Sequence, residues 1–274
     1  MKQLSQWPEA ERLRTRGVFT DIDDTLTTNG AITPDALAAL RGLKVAGIKV
    51  IAITGRPVGW SEPFAVSWPV DAIVAENGAV LLRKKHQSGL SPMEYHSEQL
   101  LKSYRQGDSD RAKNYARMQQ IGLQILREVP GTVLAQDSPG RETDMAIDHS
   151  EFTQLSTEKI AKVVAIMQAE GMTATVSSIH INGWFGEHNK LSGARWAVQE
   201  LFGGDLYAEM GSWAYVGDST NDQLMFEAFA NSIGVANVRR FEAQFAHLPR
   251  YITNGERGAG FAEVAATVLS SKND

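Results

Sequence analysis

The chain contains no cysteine among its 274 residues. That excludes disulfides, thiolate nucleophiles and cysteine metal ligands, so a metal here would rest on His, Asp and Glu, and oxygen-liganded hard cations come first. An excess of positive charge is also lacking: 27 Lys and Arg stand against 32 Asp and Glu, a net charge of −5. This speaks against a phosphate-backbone footprint and a nucleic-acid partner. No uncharged apolar run is long enough to span a bilayer, and Met1 to Arg16 are polar and charged, unlike a secretory signal. We therefore expect no membrane partner and a cytoplasmic location. Repeats and low-complexity tracts are missing too, leaving a chain long enough for one large domain or two moderate ones. Small-molecule chemistry fits this composition best.

What is present is an apolar run, Val18 to Ile22, that ends among three carboxylates, Asp21, Asp23 and Asp24. If the run is a buried strand, its period of two sends Asp21 and Asp23 to one side and Ile22 to the other. Such crowding of negative charge suits a cation site or a carboxylate nucleophile with an acid partner. The plainer reading is an acidic turn in which Asp24 or Thr25 caps a helix.

Thr27-Thr28-Asn29-Gly30 reads as a polar loop, and Thr33-Pro34-Asp35 as the start of a helix that Gly47 stops. Ile48 to Ile53 is then a buried parallel strand ending in Thr54-Gly55-Arg56-Pro57. The right-handed crossover of this β-α-β unit puts its tip on the sheet edge that carries Asp21 and Asp23. Val58 to Trp68 predicts a helix made short or irregular by Pro63, and Asp71 to Ala75 a third strand. A Glu76-Asn77-Gly78 turn follows, then an apolar stretch, Ala79 to Leu82.

From Arg83 to about Asp110 the sequence turns polar, with a Gln87-Ser88-Gly89 loop. Helices are expected over Tyr115 to Arg127 and Thr157 to Glu170, and strands over Val133 to Ala135, Thr143 to Ile147 and Thr173 to Ile181. The first style returns after Asn189-Lys190: a helix to Phe202, a strand from Trp213 to Val216, and the loop Gly217-Asp218-Ser219-Thr220-Asn221-Asp222. A helix over Gln223 to Ala230, a strand over Ser232 to Val235 and a final helix over Gly260 to Leu269 complete the chain. The pattern predicts an α/β fold: a doubly wound, mainly parallel, Rossmann-like core at 1–83 and 188–274, split by an inserted α+β cap domain at 84–187.

Three strand ends thus carry polar clusters: Asp21 and Asp23; Thr54 and Gly55; Asp218, Asn221 and Asp222. Their order resembles the haloacid dehalogenase superfamily, whose signature is Asp-x-Asp-x-Thr, a Ser or Thr at a strand end, a Lys, and an acidic Gly-Asp loop. Glu76-Asn77-Gly78-Ala79 and Gly217-Asp218-x-x-Asn221-Asp222 resemble the branch with a large α/β cap. That branch includes Cof-type, sucrose-phosphate and mannosyl-phosphoglycerate phosphatases and the phosphomannomutases.

The resemblance implies that Asp21 is a nucleophile forming an aspartyl phosphate and Asp23 a general acid, then base. It implies Mg²⁺ held by Asp21, Asp218 and the Asp23 carbonyl, with Asp222 as ligand or close neighbour. Thr54, Gly55 and Asn221 would hold phosphoryl oxygens, and Lys190 would supply positive charge. Plainer readings make Thr54 a helix cap, Asn221 and Asp222 turn residues, and Lys190 a solvated side chain. Asp24 stands where glycine is frequent in the family, which leaves the local loop conformation open.

In the cap, alternation puts His180 and Asn182 on one strand face, facing either substrate or water. Arg141 in its Pro-Gly loop is a second-anion grip or an exposed side chain, and Trp184 and Phe185 are core or hinge packing. The expectation is an Mg²⁺-dependent phosphatase whose partner is a small phosphorylated metabolite, with a sugar phosphate favoured. A phosphomutase and a receiver-like phospho-binding protein are the alternatives, and oligomeric state is left open.

Overall fold

A computed structural model describes residues 1–85 and 100–272. The Gln87-Ser88-Gly89 segment lies outside the described residues. The chain opens with β1 (Lys2–Gln3) and α1 (Glu9–Arg14), then enters β2 (Gly17–Thr20), which ends one residue before Asp21. A small hairpin follows, β3 (Thr27–Thr28) and β4 (Ala31–Ile32), where a polar loop was expected. Asn29 and Gly30, both at positive φ, supply the two-residue turn that makes it.

Next come α2 (Pro34–Val45) with Thr33 at its N-cap, β5 (Lys49–Ile53), α3 (Val58–Ser67), β6 (Ala72–Ala75) and β7 (Val80–Lys84). Pro63 sits inside α3, which nonetheless runs ten residues. β8 (Leu100–Tyr104) pairs antiparallel with β7 in the same sheet. This corrects the expected boundary at 84: the core sheet continues to Tyr104, and the second sheet takes its first strand only after the helix that begins at Asp108. Edge strands expose one face and carry charges such as Arg83, Lys84 and Lys102, so they read as polar sequence although they belong to the core.

The inserted unit comprises α4 (Asp108–Glu128), β9 (Val133–Leu134), β10 (Asp144–Asp148), α5 (Thr157–Ala169), β11 (Thr173–Val176) and β12 (His180–Trp184). The single strand expected over Thr173 to Ile181 is a hairpin. Ser177 breaks it: its hydroxyl accepts from the His180 amide at 3.0 Å, diverting the backbone from a straight ladder. The chain re-enters the core through α6 (Lys190–Phe202), α7 (Leu206–Glu209), β13 (Trp213–Gly217), α8 (Gln223–Ala228), β14 (Asn231–Gly234), β15 (Tyr251–Ile252) and α9 (Arg257–Ser270).

Among the described residues the large sheet has nine strands in the order β1-β15-β14-β13-β2-β5-β6-β7-β8, parallel from β1 to β6. Both of its faces are covered. Val18, Val50 and Ile73 pack under α2 and α9 with Leu40 and Phe261, while Phe19, Ile51 and Val74 pack under α6 and α8 with Val198 and Phe226. The smaller antiparallel sheet, β11-β12-β10-β9, buries Ile147 and Ile181 under α4 and α5 with Ile121, Val163 and Met167. Its other face pairs Asp148 with His180 and Ala146 with Asn182 across the strands. Period two therefore places a polar row opposite the core's strand tips.

Candidate active site

The site begins at three adjacent parallel strands. Thr20 of β2 is in register with Val216 of β13 and with Ala52 of β5, so the residues just beyond these strands emerge side by side. Asp21, Thr54 and Asp218 are those residues, and all three are buried. Lys190 arrives from a different direction, as the first residue of α6. Asn189 caps that helix by accepting from the Ser192 amide at 2.9 Å. The helix start can sit this close because Gly78 and Gly193 touch: a Cβ on Gly193 would lie 2.6 Å from the Gly78 Cα.

Lys190 Nζ donates to Asp21 Oδ1 at 2.6 Å and to Asp222 Oδ1 at 2.7 Å. Asp222 Oδ1 also accepts from the Tyr215 hydroxyl, and its Oδ2 accepts from the amides of Asp218 (2.9 Å) and Ser219 (3.2 Å). All four acceptor positions of that carboxylate are in use. A side chain on Gly217 would collide with Asp222 Oδ2 at 2.4 Å, so the loop depends on a glycine there. Asp222 anchors Lys190 and the loop, a geometry that suits the neighbour role better than the ligand role.

Asp21 and Asp218 carry more negative charge than one lysine balances. Burial, with Asp222 and Asp23 adding to it, pushes Asp21 up to about 8 against the pull of Lys190. Burial and then Asp21, Asp222 and Asp24 hold Asp218 well above the usual carboxylate range. Lys190 is also raised, which for a lysine favours the charged form: burial works to lower it, and Asp21 with Asp222 outweighs that. Oxygens of Asp21, Asp218 and Asp222 lie within 4.8 Å of one another. An all-oxygen, electron-rich set short of positive charge fits a hard divalent cation such as Mg²⁺. Asn237 Nδ2 steadies Asp218 Oδ2 at 3.1 Å.

Thr54 hydroxyl accepts from the Arg56 amide at 3.0 Å, so its own proton is free to be donated. Asp23 lies beside it, forked by the Arg56 guanidinium: Nε is 3.0 Å from Oδ2 and Nη2 is 3.0 Å from Oδ1. Arg56 received no role from sequence, although it directly follows Thr54-Gly55. Asn221 borders the same cavity, its Oδ1 accepting from the Ser219 hydroxyl at 2.9 Å.

The cap closes this cavity from the opposite side with His180, Asn182 and the Ser177 to Ile179 turn. His180 Nε2 meets Glu151 Oε2 at 2.8 Å, and Asn182 Nδ2 donates to the Gly55 carbonyl at 3.1 Å. Their strand face meets the core rather than water. Arg141 is neither exposed nor a free anion grip. It is buried, pairs with Asp144 at 2.7 Å and Asp137 at 3.0 Å, and donates to the same Gly55 carbonyl at 3.1 Å. Burial lifts Asp144 to about 7 despite Arg141, with Glu76 adding to the rise. Glu76 joins the two sheets from inside, accepting from the amides of Val58 (3.0 Å) and Glu142 (2.9 Å). Trp184 and Phe185 pack as expected, buried at the junction.

Asp24 explains the family's glycine. Its φ is +54°, the left-handed region, which Asp tolerates better than most side chains. An ion pair with Arg257 at 2.9 Å holds it there.

A family model described as haloacid dehalogenase-like hydrolase matches residues 18–248, most of the chain and both halves of the site. The chain belongs to that family. Solved structures similar to the hydrolase agree on its fold. Thermoplasma acidophilum 0175 is 13% identical, with a TM-score of 0.68 over 93% of this chain and 98% of that one. The C-terminal domain of C. albicans trehalose-6-phosphate phosphatase is 11% identical, with a TM-score of 0.68 over 98% of each chain. The sucrose-phosphatase from Synechocystis, solved with sucrose and phosphate, is 14% identical, with a TM-score of 0.63 over 93% of the hydrolase and 98% of that chain. Among the described residues of the hydrolase, no helix is long and apolar enough to cross a membrane.

Proposed function

We propose that this hydrolase is an Mg²⁺-dependent phosphomonoesterase acting on a small phosphorylated metabolite, a sugar phosphate by preference. The observation that carries the reading is the Lys190 bridge between Asp21 and Asp222 beside Asp218, which leaves a buried carboxylate poised and partly uncompensated. Asp21, Asp218 and the Asp23 carbonyl would hold Mg²⁺, which when bound supplies charge to the phosphoryl oxygens.

The chain's own groups then divide the work. A carboxylate oxygen of Asp21 forms a bond to phosphorus as the bond to the leaving oxygen breaks. Asp23 gives that oxygen its proton. Water next attacks the phosphorus of the acyl phosphate, Asp23 takes up the water's proton, and the Asp21 carboxylate is released with inorganic phosphate. Thr54 hydroxyl, the Gly55 amide and Asn221 would orient the phosphoryl oxygens while Lys190 balances their charge. His180 and Asn182 would meet the leaving group, because they line the cavity from the cap. The preference for sugar phosphates draws support from the printed names of the similar sucrose- and trehalose-phosphate phosphatases.

The test is phosphate release from p-nitrophenyl phosphate and a panel of sugar phosphates, with Mg²⁺ and with EDTA. Release equal to substrate loss, abolished by EDTA and regained with Mg²⁺, is expected. No release from any of them refutes the phosphatase, and indifference to EDTA refutes the metal.

A further inference from the structure

One arginine reaches from the catalytic loop into the cap with all of its donors engaged. Arg56 Nε and one Nη2 proton point at Asp23, at 3.0 to 3.1 Å. The other Nη2 proton goes to Glu151 Oε1 at 2.7 Å, while Nη1 serves Asp137 Oδ2 at 3.1 Å and Glu151 Oε2 at 3.4 Å. Asp23 is a core residue; Asp137 and Glu151 belong to the cap. The Arg56 side chain is 7% exposed, and its guanidinium carbon lies 5.1 Å from the centre of the Trp60 ring.

The cap builds its half of this joint deliberately. Asp148 at the end of β10 accepts from the amides of Glu151 and Phe152, both at 2.9 Å, and so turns Glu151 back toward the core. His180 supports the other side of Glu151, and Arg141 supports Asp137. Burial alone would raise Glu151, yet the bonds and charges of His180 and Arg56 hold it down at about 2. A planar fork with five donors grips Asp23 at both oxygens while reaching Asp137 and Glu151; a lysine, with three donors on one nitrogen, cannot reproduce that fork.

Resting on the phosphatase reading, we propose that Arg56 is a positioning residue that couples cap docking to the orientation of Asp23, the proton carrier. With the cap seated, Asp137 and Glu151 fix the guanidinium, and the guanidinium fixes Asp23. Asp23 Oδ2 keeps an acceptor position free for the transferred proton, because only Nε engages it. With the cap withdrawn, Arg56 loses two of its three anchors, and Asp23 loses a fixed direction. Proton delivery is thereby reserved for the closed, substrate-loaded state.

The experiment compares two leaving groups in Arg56→Gln, Arg56→Lys and Glu151→Gln. Nitrophenolate departs without a proton, whereas the alkoxide of glycerol 2-phosphate requires one. Misorienting the acid should cost the alkyl ester about 100-fold in kcat and the aryl ester far less. Glu151→Gln, which cuts only the cap end of the joint, should shift the ratio in the same direction by a smaller factor. Equal losses on both esters in every variant would reduce Arg56 to structural support, and an unchanged ratio would overturn the proposal. Hydrogen exchange of residues 135–141 and 148–153 reads the coupling without turnover: faster exchange in Arg56→Gln is expected, and unchanged exchange overturns it. Wild-type protein that releases no phosphate from p-nitrophenyl phosphate would fail the phosphatase reading instead, with exchange still deciding the joint. If Arg56→Gln does not fold, the Arg56→Lys and Glu151→Gln ratios decide.

Discussion

The floor and the roof of the cavity are built by different rules. On the floor, Asp21, Thr54 and Asp218 stand at the tips of adjacent parallel strands, and their partners come from distant segments: Lys190 from α6 and Asn237 from the stretch after β14. On the roof, His180 and Asn182 stand on the face of one antiparallel strand, set there by alternation and held by Glu151 and the Gly55 carbonyl. The floor is therefore a fixed electrostatic device, costly to disturb. The roof is a surface whose side chains can change without unmaking the strand. On the proposed reading, such a division would let one chemistry be kept while the leaving group is selected separately.

The largest test of this contrast is Asp21→Asn. It should lower phosphate release by more than about 10⁴-fold on every ester, as loss of a nucleophile does. Thermal stability should be equal or higher, because a carboxylate pushed up to about 8 by its surroundings is removed. A rate near that of wild type would refute the floor as a catalytic device.

Lys190→Met comes next. It should reduce turnover by about 10²- to 10³-fold, the range found for removal of one electrostatic donor. It should also destabilise the fold by about 3–5 kcal/mol in denaturant titrations, since Asp21 and Asp222 are left buried without their cation. Loss of activity without loss of stability would mean that the bridge contributes little to the resting protein.

His180→Ala removes a roof side chain that also supports Glu151. It should raise KM for sugar phosphates about tenfold more than KM for p-nitrophenyl phosphate, with a smaller loss of kcat on alkyl esters through the Arg56 joint. Equal effects on the two would erase the distinction between floor and roof.

The smallest effect on turnover is expected at Asp144, and its test is the pH dependence of stability. Asp144 sits where the two halves join, and its folded-state value of about 7 lies above the ordinary 3.8. Between those values the folded protein keeps a proton that the unfolded chain has lost. Its stabilising contribution is therefore full below 3.8 and is lost as pH rises through 7. Wild-type stability should fall over that interval more steeply than that of Asp144→Asn, by up to about 1.4 kcal/mol per pH unit. Denaturant titrations at several pH values measure it, and parallel curves would show that Asp144 is ionised throughout.

The same contrast governs what could be read from residues alone. The tips were legible because each joins a strong pattern to a chemical cluster: a continuous apolar run ends in Asp21-Ile22-Asp23, and another in Thr54-Gly55. The roof was half legible. Alternation correctly set His180 and Asn182 apart from Ile181, but Ser177 turned one expected strand into a hairpin. β1 and β15, of two residues each, are too short to carry any period. β8 was hidden by edge-strand polarity, which moved the expected cap boundary.

Arg56, Glu151 and Arg141 show where reading along the chain stops. An arginine between glycine and proline looks like any loop cation, and nothing local announces that residues 81 and 95 positions away will share it. Local periodicity and turn chemistry follow from neighbours within a few residues, so strands, helices and the order of the acidic motifs are inscribed in the chain itself. Ion pairs depend on charges meeting across a low-dielectric space that exists only once the cap packs on the core. The choice of Lys190 as partner to Asp21, the burial that lifts that carboxylate, and the three-way hold on Arg56 were decided there.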